Sequence, residues 1–333
     1  MKPAAVGGGS ALGLTVYAFL AAFFIWTGWR EALTRSVAPM ATAGVILATL
    51  AILALLIAPA VPEWRTRLRR ACETPWPKLI AAALFLVPYF IYALATGDLR
   101  AEALGKAAGF VFVPFAVFAV APVRDRRRLE PQDVVALAAL ALPVLLGWFH
   151  GVWTKPMELD FLARLYTAAI GAWTFLILRG TPAVGYELRF DGAVARAAIV
   201  NFLAFSIIAV PLGLAIGFIA WNPSWRGLGA FGFDLLTIFL FVALLEELFF
   251  RGLLQNLLEG RLGRPLAAQA IVSLLFGLAH IQHAPFPNWR YVLLAAIAGW
   301  FYGQAWRSTR CLVASATTHA LVDAVWRTWF EAI

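Results

Sequence analysis

The chain has 333 residues, of which 62% are hydrophobic and 14% charged, with a net charge of +9 and a mean hydropathy of +0.81. Soluble domains carry about 25% charged residues, so the composition excludes a soluble globular protein and points to an integral membrane protein. The positive charge lies between apolar runs, where membrane orientation and lipid headgroups account for it without a nucleic-acid partner.

Met1 to Ser10 form a Gly-rich lead carrying Lys2. The apolar run Ala11–Thr27 follows, and no small-residue cleavage pattern precedes Trp29-Arg30, so it reads as a first membrane helix. Further apolar runs cover Ala38–Val61, Leu79–Thr96, Ala107–Val123, Val134–Trp153, Phe161–Leu178, Ala197–Ala220 and Phe231–Leu258. Leu266–Ile281, Tyr291–Trp306 and Leu312–Trp329 complete the set. The expectation is an all-α, polytopic transmembrane bundle of about 11 helices, the shorter ones tilted, re-entrant or merged. The two cysteines, Cys72 and Cys311, have neither disulfide-framework nor metal-site spacing.

Loop charges set an orientation. Arg65, Arg67, Arg69, Arg70 and Lys78 lie in the second loop, and Arg124, Arg126, Arg127 and Arg128 in the fourth. Arg189, Arg196, Arg261, Arg264, Arg307 and Arg310 lie in later even-numbered loops. The positive-inside rule puts these loops and the N-terminus in the cytoplasm, here of a bacterial cell with the protein in its inner membrane. The polar connection Arg179 to Arg196 divides the chain into N-terminal membrane helices, 1–190, and a C-terminal part, 191–333, of different character.

That difference is chemical. Before the connection, membrane runs hold almost no charge or histidine. After it, Glu246, Glu247 and Arg251 interrupt the run from Phe231 to Leu258, where a charge in hydrocarbon costs several kcal/mol, from roughly 2.5 upward. Glu247 and Arg251 are four residues apart and share a helix face, so they can pair. Glu246 is rotated about 100° away and is left for another task. Phe276 and His280, and His319 and Asp323, repeat the four-residue spacing on two later helices. Such groups find partners cheaply only in one another, at the bundle interior. Glu246 lies about 22 Å along its helix from Phe231, past the middle and toward the cytoplasmic loop.

Glu-Glu-x-x-x-Arg at Glu246–Arg251, Phe-x-x-x-His at Phe276–His280 and His-x-x-x-Asp at His319–Asp323 occur in this order. Over roughly Arg196 to Ile333 the chain resembles the CPBP family, the CAAX prenyl proteases and bacteriocin-processing (Abi) enzymes. The resemblance implies an intramembrane endopeptidase acting on a membrane-anchored or lipid-modified protein or peptide within the lipid bilayer. It implies Glu246 as general base for a water, His280 assisting, and His319 with residue 323 stabilising an oxyanion. Arg251 would hold the glutamates. Many members carry Asn at the last position, and an ionised Asp323 cannot donate to an oxyanion, so Asp323 must be protonated or orient His319.

Peptide hydrolysis needs a base and oxyanion donors, and no serine nucleophile is required. Ser273 and Ser315 lie near the motifs but in no nucleophile-elbow pattern. Glu246, His280 and His319 could instead hold zinc, with His283 as a further ligand, although the H-E-x-x-H signature is absent. Two other readings stand beside the peptidase: a transporter using Glu, His and Asp as a proton relay, and an inactive binding scaffold. Gly213-x-x-x-Gly217 and Gly299-x-x-x-Gly303 have the spacing of close helix contacts.

Overall fold

The computed structural model describes residues 8–333, so the N-terminal end of the Gly-rich lead, with Lys2, lies outside the described residues. Each apolar run forms a helix. The first unit holds α1 (Gly8–Thr34), α2 (Pro39–Ile57), α3 (Pro62–Ala71), α4 (Pro75–Thr96), α5 (Ala101–Val120), α6 (Pro131–Leu145) and α7 (Asp160–Leu178). The second holds α8 (Gly192–Ala215), α9 (Leu228–Leu262), α10 (Pro265–Leu278), α11 (Trp289–Thr309) and α12 (Leu312–Trp329). Pro39, Pro62, Pro75, Pro131 and Pro265 open their helices, where a missing N–H costs nothing. Asp191 caps α8 by accepting from the Val194 N–H at 2.9 Å. Gly97 and Gly263, both left-handed, end α4 and α9.

Among the described residues seven helices, α1, α2, α4, α5, α7, α8 and α9, are long and apolar enough to cross a membrane. The protein is a polytopic integral membrane protein. At 15 and 14 residues, α6 and α10 are too short for a full span at about 1.5 Å per residue. α11 and α12 have spanning length but are not among the seven.

The run expected to be helical to Ala220 stops at Ala215. Gly217, at φ +63°, turns the chain, and Ile219–Trp221 forms a strand (β1) antiparallel to Phe330–Ala332 (β2), with Ile219 opposite Ala332. Gly217 is therefore a turn residue and does not form a helix-packing pair with Gly213.

The chain divides into two compact units, residues up to 126 with 130–182, and residues 127–129 with 183–333. In the first, buried α7 anchors its neighbours: the Tyr166 hydroxyl donates to the Phe85 carbonyl at 2.7 Å, and the Trp173 indole to that of Leu55 at 2.7 Å. Charge is buried here too, just beyond the ends of the apolar runs. Asp133 and Arg179, both without exposure, form a two-pronged pair. Between α4 and α5, burial raises the Asp98 carboxyl, but donors from Arg100, Tyr92 and Thr154 outweigh it and hold it below the usual carboxylate value.

The second unit packs α11 against α8, α10 and α12, with the apolar core formed by Phe205, Phe276, Leu294, Tyr302 and Val322 among others. Its strap, residues 127–129, lies along α9. The Leu129 N–H donates to the Leu257 carbonyl at 3.1 Å, and Gly260 leaves room for the Arg127 carbonyl.

Candidate active site

The site is built on four helices of the second unit, beginning with α9. Its winding is irregular: Phe239–Ala243 and Leu248–Gln255 are π-wound, with the regular turn Leu244–Glu247 between them. Such widened turns recur at functional sites, because they re-aim side chains that a regular helix would hold in line. Both glutamates sit on the regular turn.

Glu247 is fully buried and its carboxylate is fully engaged. Oε1 accepts from Arg251 Nη1 at 3.0 Å and lies 3.0 Å from His319 Nδ1, while Oε2 accepts from the Ser315 hydroxyl. Arg251, also fully buried, donates through Nη2 to the Gly299 carbonyl at 2.9 Å. Its guanidinium lies 4.4 Å from the Phe276 ring centroid and 5.4 Å from that of Tyr302. A Cβ at position 299 would stand 2.9 Å from Arg251 Nη2, so glycine is what lets the guanidinium reach the backbone.

His319 is held on three sides. Its ring stacks on Tyr302 at 4.5 Å and 13°, meets Phe276 edge-on at 5.8 Å, and presents Nδ1 to Glu247. The free nitrogen, Nε2, then faces two carboxylates: Asp323 Oδ2 at 3.5 Å and Glu246 Oε2 at 4.0 Å. Glu246 is 30% exposed at its side chain, and its Oε2 has no hydrogen-bond partner among the described residues. The two adjacent glutamates thus differ completely: one is locked, the other available.

His280 lies just beyond the end of α10. Its Nδ1 is 2.7 Å from the Phe276 carbonyl oxygen, which can only accept, so Nδ1 carries the proton. The ring packs on Phe276 at 4.8 Å and Tyr291 at 4.9 Å. No hydrogen bond joins His280 to Glu246 among the described residues; Phe276 touches the rings of both His280 and His319. His283 is exposed in the following loop, 5.7 Å from His280 ring to ring. Glu246, His280, His319 and His283 do not converge on one point: no group of three His, Cys, Asp or Glu side chains among the described residues is placed to hold a metal ion.

Of the candidates that spacing singled out, the fold brings Glu246, Glu247, Arg251, His319 and Asp323 together, with His280 joined to them through Phe276; spacing did not indicate what supports them. Ser315 was set aside with the nucleophiles, yet Ser315, His319 and Asp323 form one four-residue stripe on α12. On α9 the stripe Glu247, Arg251, Gln255 and Glu259 continues away from the site, with Gln255 Nε2 donating to Glu259 at 3.2 Å and Glu259 paired with Arg310 at 2.8 Å. Asp234 also escaped notice inside the apolar run. It is buried and pairs with Arg226 at 2.6 Å and Arg327 at 3.7 Å, partners that only the fold brings near.

Residues 228–325, from the start of α9 into α12, match the family model described as "Type II CAAX prenyl endopeptidase Rce1-like". The matched window contains every residue of the site, so the similarity to that family falls on the part of the second unit that carries it. Among curated proteins the chain is similar to a "C4-dicarboxylate transport protein" of Bordetella avium, 27% identical over 159 residues, 47% of this chain and 36% of that protein. A protein of the same description from Azorhizobium caulinodans is 27% identical over 166 residues, 49% of this chain and 37% of its own. The chain thus spans little more than a third of the length of these curated relatives. No solved structure matches it.

Proposed function

We propose that Glu246 activates a water that hydrolyses a peptide bond in a membrane-anchored or lipid-modified polypeptide. The observation that carries this reading is the asymmetry of the two glutamates: Glu247 spends both oxygens on Arg251, His319 and Ser315, while Glu246 Oε2 has no hydrogen-bond partner among the described residues and meets only His319 Nε2, at 4.0 Å. Glu246 takes a proton from water, and the water oxygen attacks the carbonyl carbon. Negative charge gathers on the carbonyl oxygen. A protonated His319, fixed through Nδ1 by Glu247, donates to that oxygen from Nε2, and Asp323 beside it holds the ring in place. Glu246 then delivers its proton to the leaving nitrogen as the C–N bond breaks. His280, protonated at Nδ1, offers the Nε2 lone pair to the water.

Comparing peptide termini in cells producing wild type or Glu246→Gln at equal levels tests this. The reading requires cleaved forms of membrane-anchored proteins that vanish in the variant; identical termini in both would overturn it. The described side chains of Glu246, His280 and His319 are not placed to hold the zinc that the sequence offered as an alternative, and chelation of the purified protein checks this, since the metal-free route keeps full activity.

The names of the two curated relatives favour a second reading, transport of a small dicarboxylate through these helices. Dicarboxylate flux in proteoliposomes, unchanged when cleavage is abolished, would establish it. An inactive scaffold would show neither flux nor cleavage. The arginine distribution supports an N-terminus in the cytoplasm, and the location proposed with it is the inner membrane of a bacterium.

A further inference from the structure

We infer that the site is entered from the arginine-poor end of the second unit, so that its substrate is a polypeptide presented from the non-cytoplasmic face of the membrane. This rests on the peptidase reading and adds to it the side of attack.

The helices of the unit alternate in direction, which sorts their loops between two ends. Arg189, Arg261, Arg264, Arg307 and Arg310, with Arg127 and Arg128 of the strap, gather at one end. The other end holds Arg226, Arg290 and Arg327, and two of these are paired with Asp234. By the positive-inside rule the first end is cytoplasmic. At the second end Trp221, Trp225 and Trp289 are exposed, Trp221 and Trp225 stacking on Trp329 at 5.6 and 6.0 Å. Such aromatic clusters sit at the membrane–water boundary.

The polar faces of the site helices open toward that second end. On α12, Ser315 and His319 are buried at 0% and 3%, whereas the Asp323 side chain is 38% exposed. On α10, Gln269, Ser273 and Phe276 are buried, while His280 is half-buried and His283 beyond it is exposed. Toward the arginine-rich end the path is closed. Gln255 and Gln269 are buried, a Cβ at Gly303 would stand 2.8 Å from Gln255 Oε1, and Trp306 is fully buried. Glu246 itself lies close to the middle of α9, which begins at Leu228 and ends at Leu262.

The consequence is a choice among substrates. A prenylated C-terminus is anchored from the cytoplasmic leaflet, so its scissile bond approaches the closed end. An exported polypeptide with a membrane-embedded or lipid-bearing tail brings its bond to the open one. The chemistry points to the second.

The test maps orientation independently of cleavage. Cys72 and Cys311 are replaced by Ala, and Gln282→Cys, in the exposed loop after α10, is probed in intact bacterial cells with a membrane-impermeant maleimide. Alkaline phosphatase or green fluorescent protein is fused after Ile333 on the full chain. Labelling without permeabilisation, with an active phosphatase and a dark fluorescent fusion, is the expected result. Labelling only after permeabilisation, with a fluorescent fusion, overturns the proposal. Either outcome leaves the peptidase reading to its own test, loss of cleavage in Glu246→Gln.

Discussion

Two neighbouring glutamates, identical in chemistry, behave differently because a rotation of about 100° around the helix separates their surroundings. Glu246→Gln keeps shape and volume but removes the base, so cleavage falls by about 100-fold or more while the protein extracts and folds as wild type. Glu247→Ala strands Arg251 without a counter-charge in a fully buried place, a loss of about 3–5 kcal/mol, and folded protein disappears. The contrast is read by measuring both cleavage and thermal stability of the two variants. Ser315→Ala removes one donor from the Glu247 carboxylate at a cost of about 1–2 kcal/mol. As Ser315 acts through Glu247 and His319, kcat falls while KM stays unchanged, whereas a purely structural role would lower the melting temperature alone. The pairs Glu247–Arg251 and His319–Asp323 were legible because a four-residue interval is helix geometry itself. Ser315 was not, since serine is ordinary in membrane helices and its partner lies on another helix. Asp234 pairs with Arg226 and Arg327 across separate elements, and no local spacing announces that.

At the scale of elements, α10 and α11 approach closely because Gly299 and Gly303 face the former and the polar stripe of α9. A Cβ at Gly303 would meet Gln269 Cγ at 3.0 Å as well as Gln255. Gly303→Val therefore forces these packed side chains apart and destabilises the second unit by about 1–3 kcal/mol, visible as a lower melting temperature in detergent. Gly213→Ala, read from sequence as belonging to an equivalent pair, pushes only on the Ile219 side chain and on Leu294, so its effect is smaller. The helices themselves were visible as uninterrupted apolar runs. Their irregularities were not: the π-wound turns of α9 depend on contacts with its neighbours, and β1 exists only because Phe330–Ala332 lies beside it.

For the whole molecule, composition and the apolar runs identified a membrane-embedded helical bundle, and the clustering of ionisable residues after Arg196 pointed to a candidate site in its C-terminal part. The arrangement within that part came from the fold, because which end of a bundle is open depends on how four helices pack and not on any one of them. Membranes from cells lacking the protein, incubated with purified wild type in liposomes, are the most direct test of the central claim. Peptide termini are counted against a parallel incubation with Glu246→Gln. New termini in membrane-anchored proteins, made by wild type and absent with the variant, are the predicted result. Equal termini from both proteins, at equal amount and stability, would contradict the account.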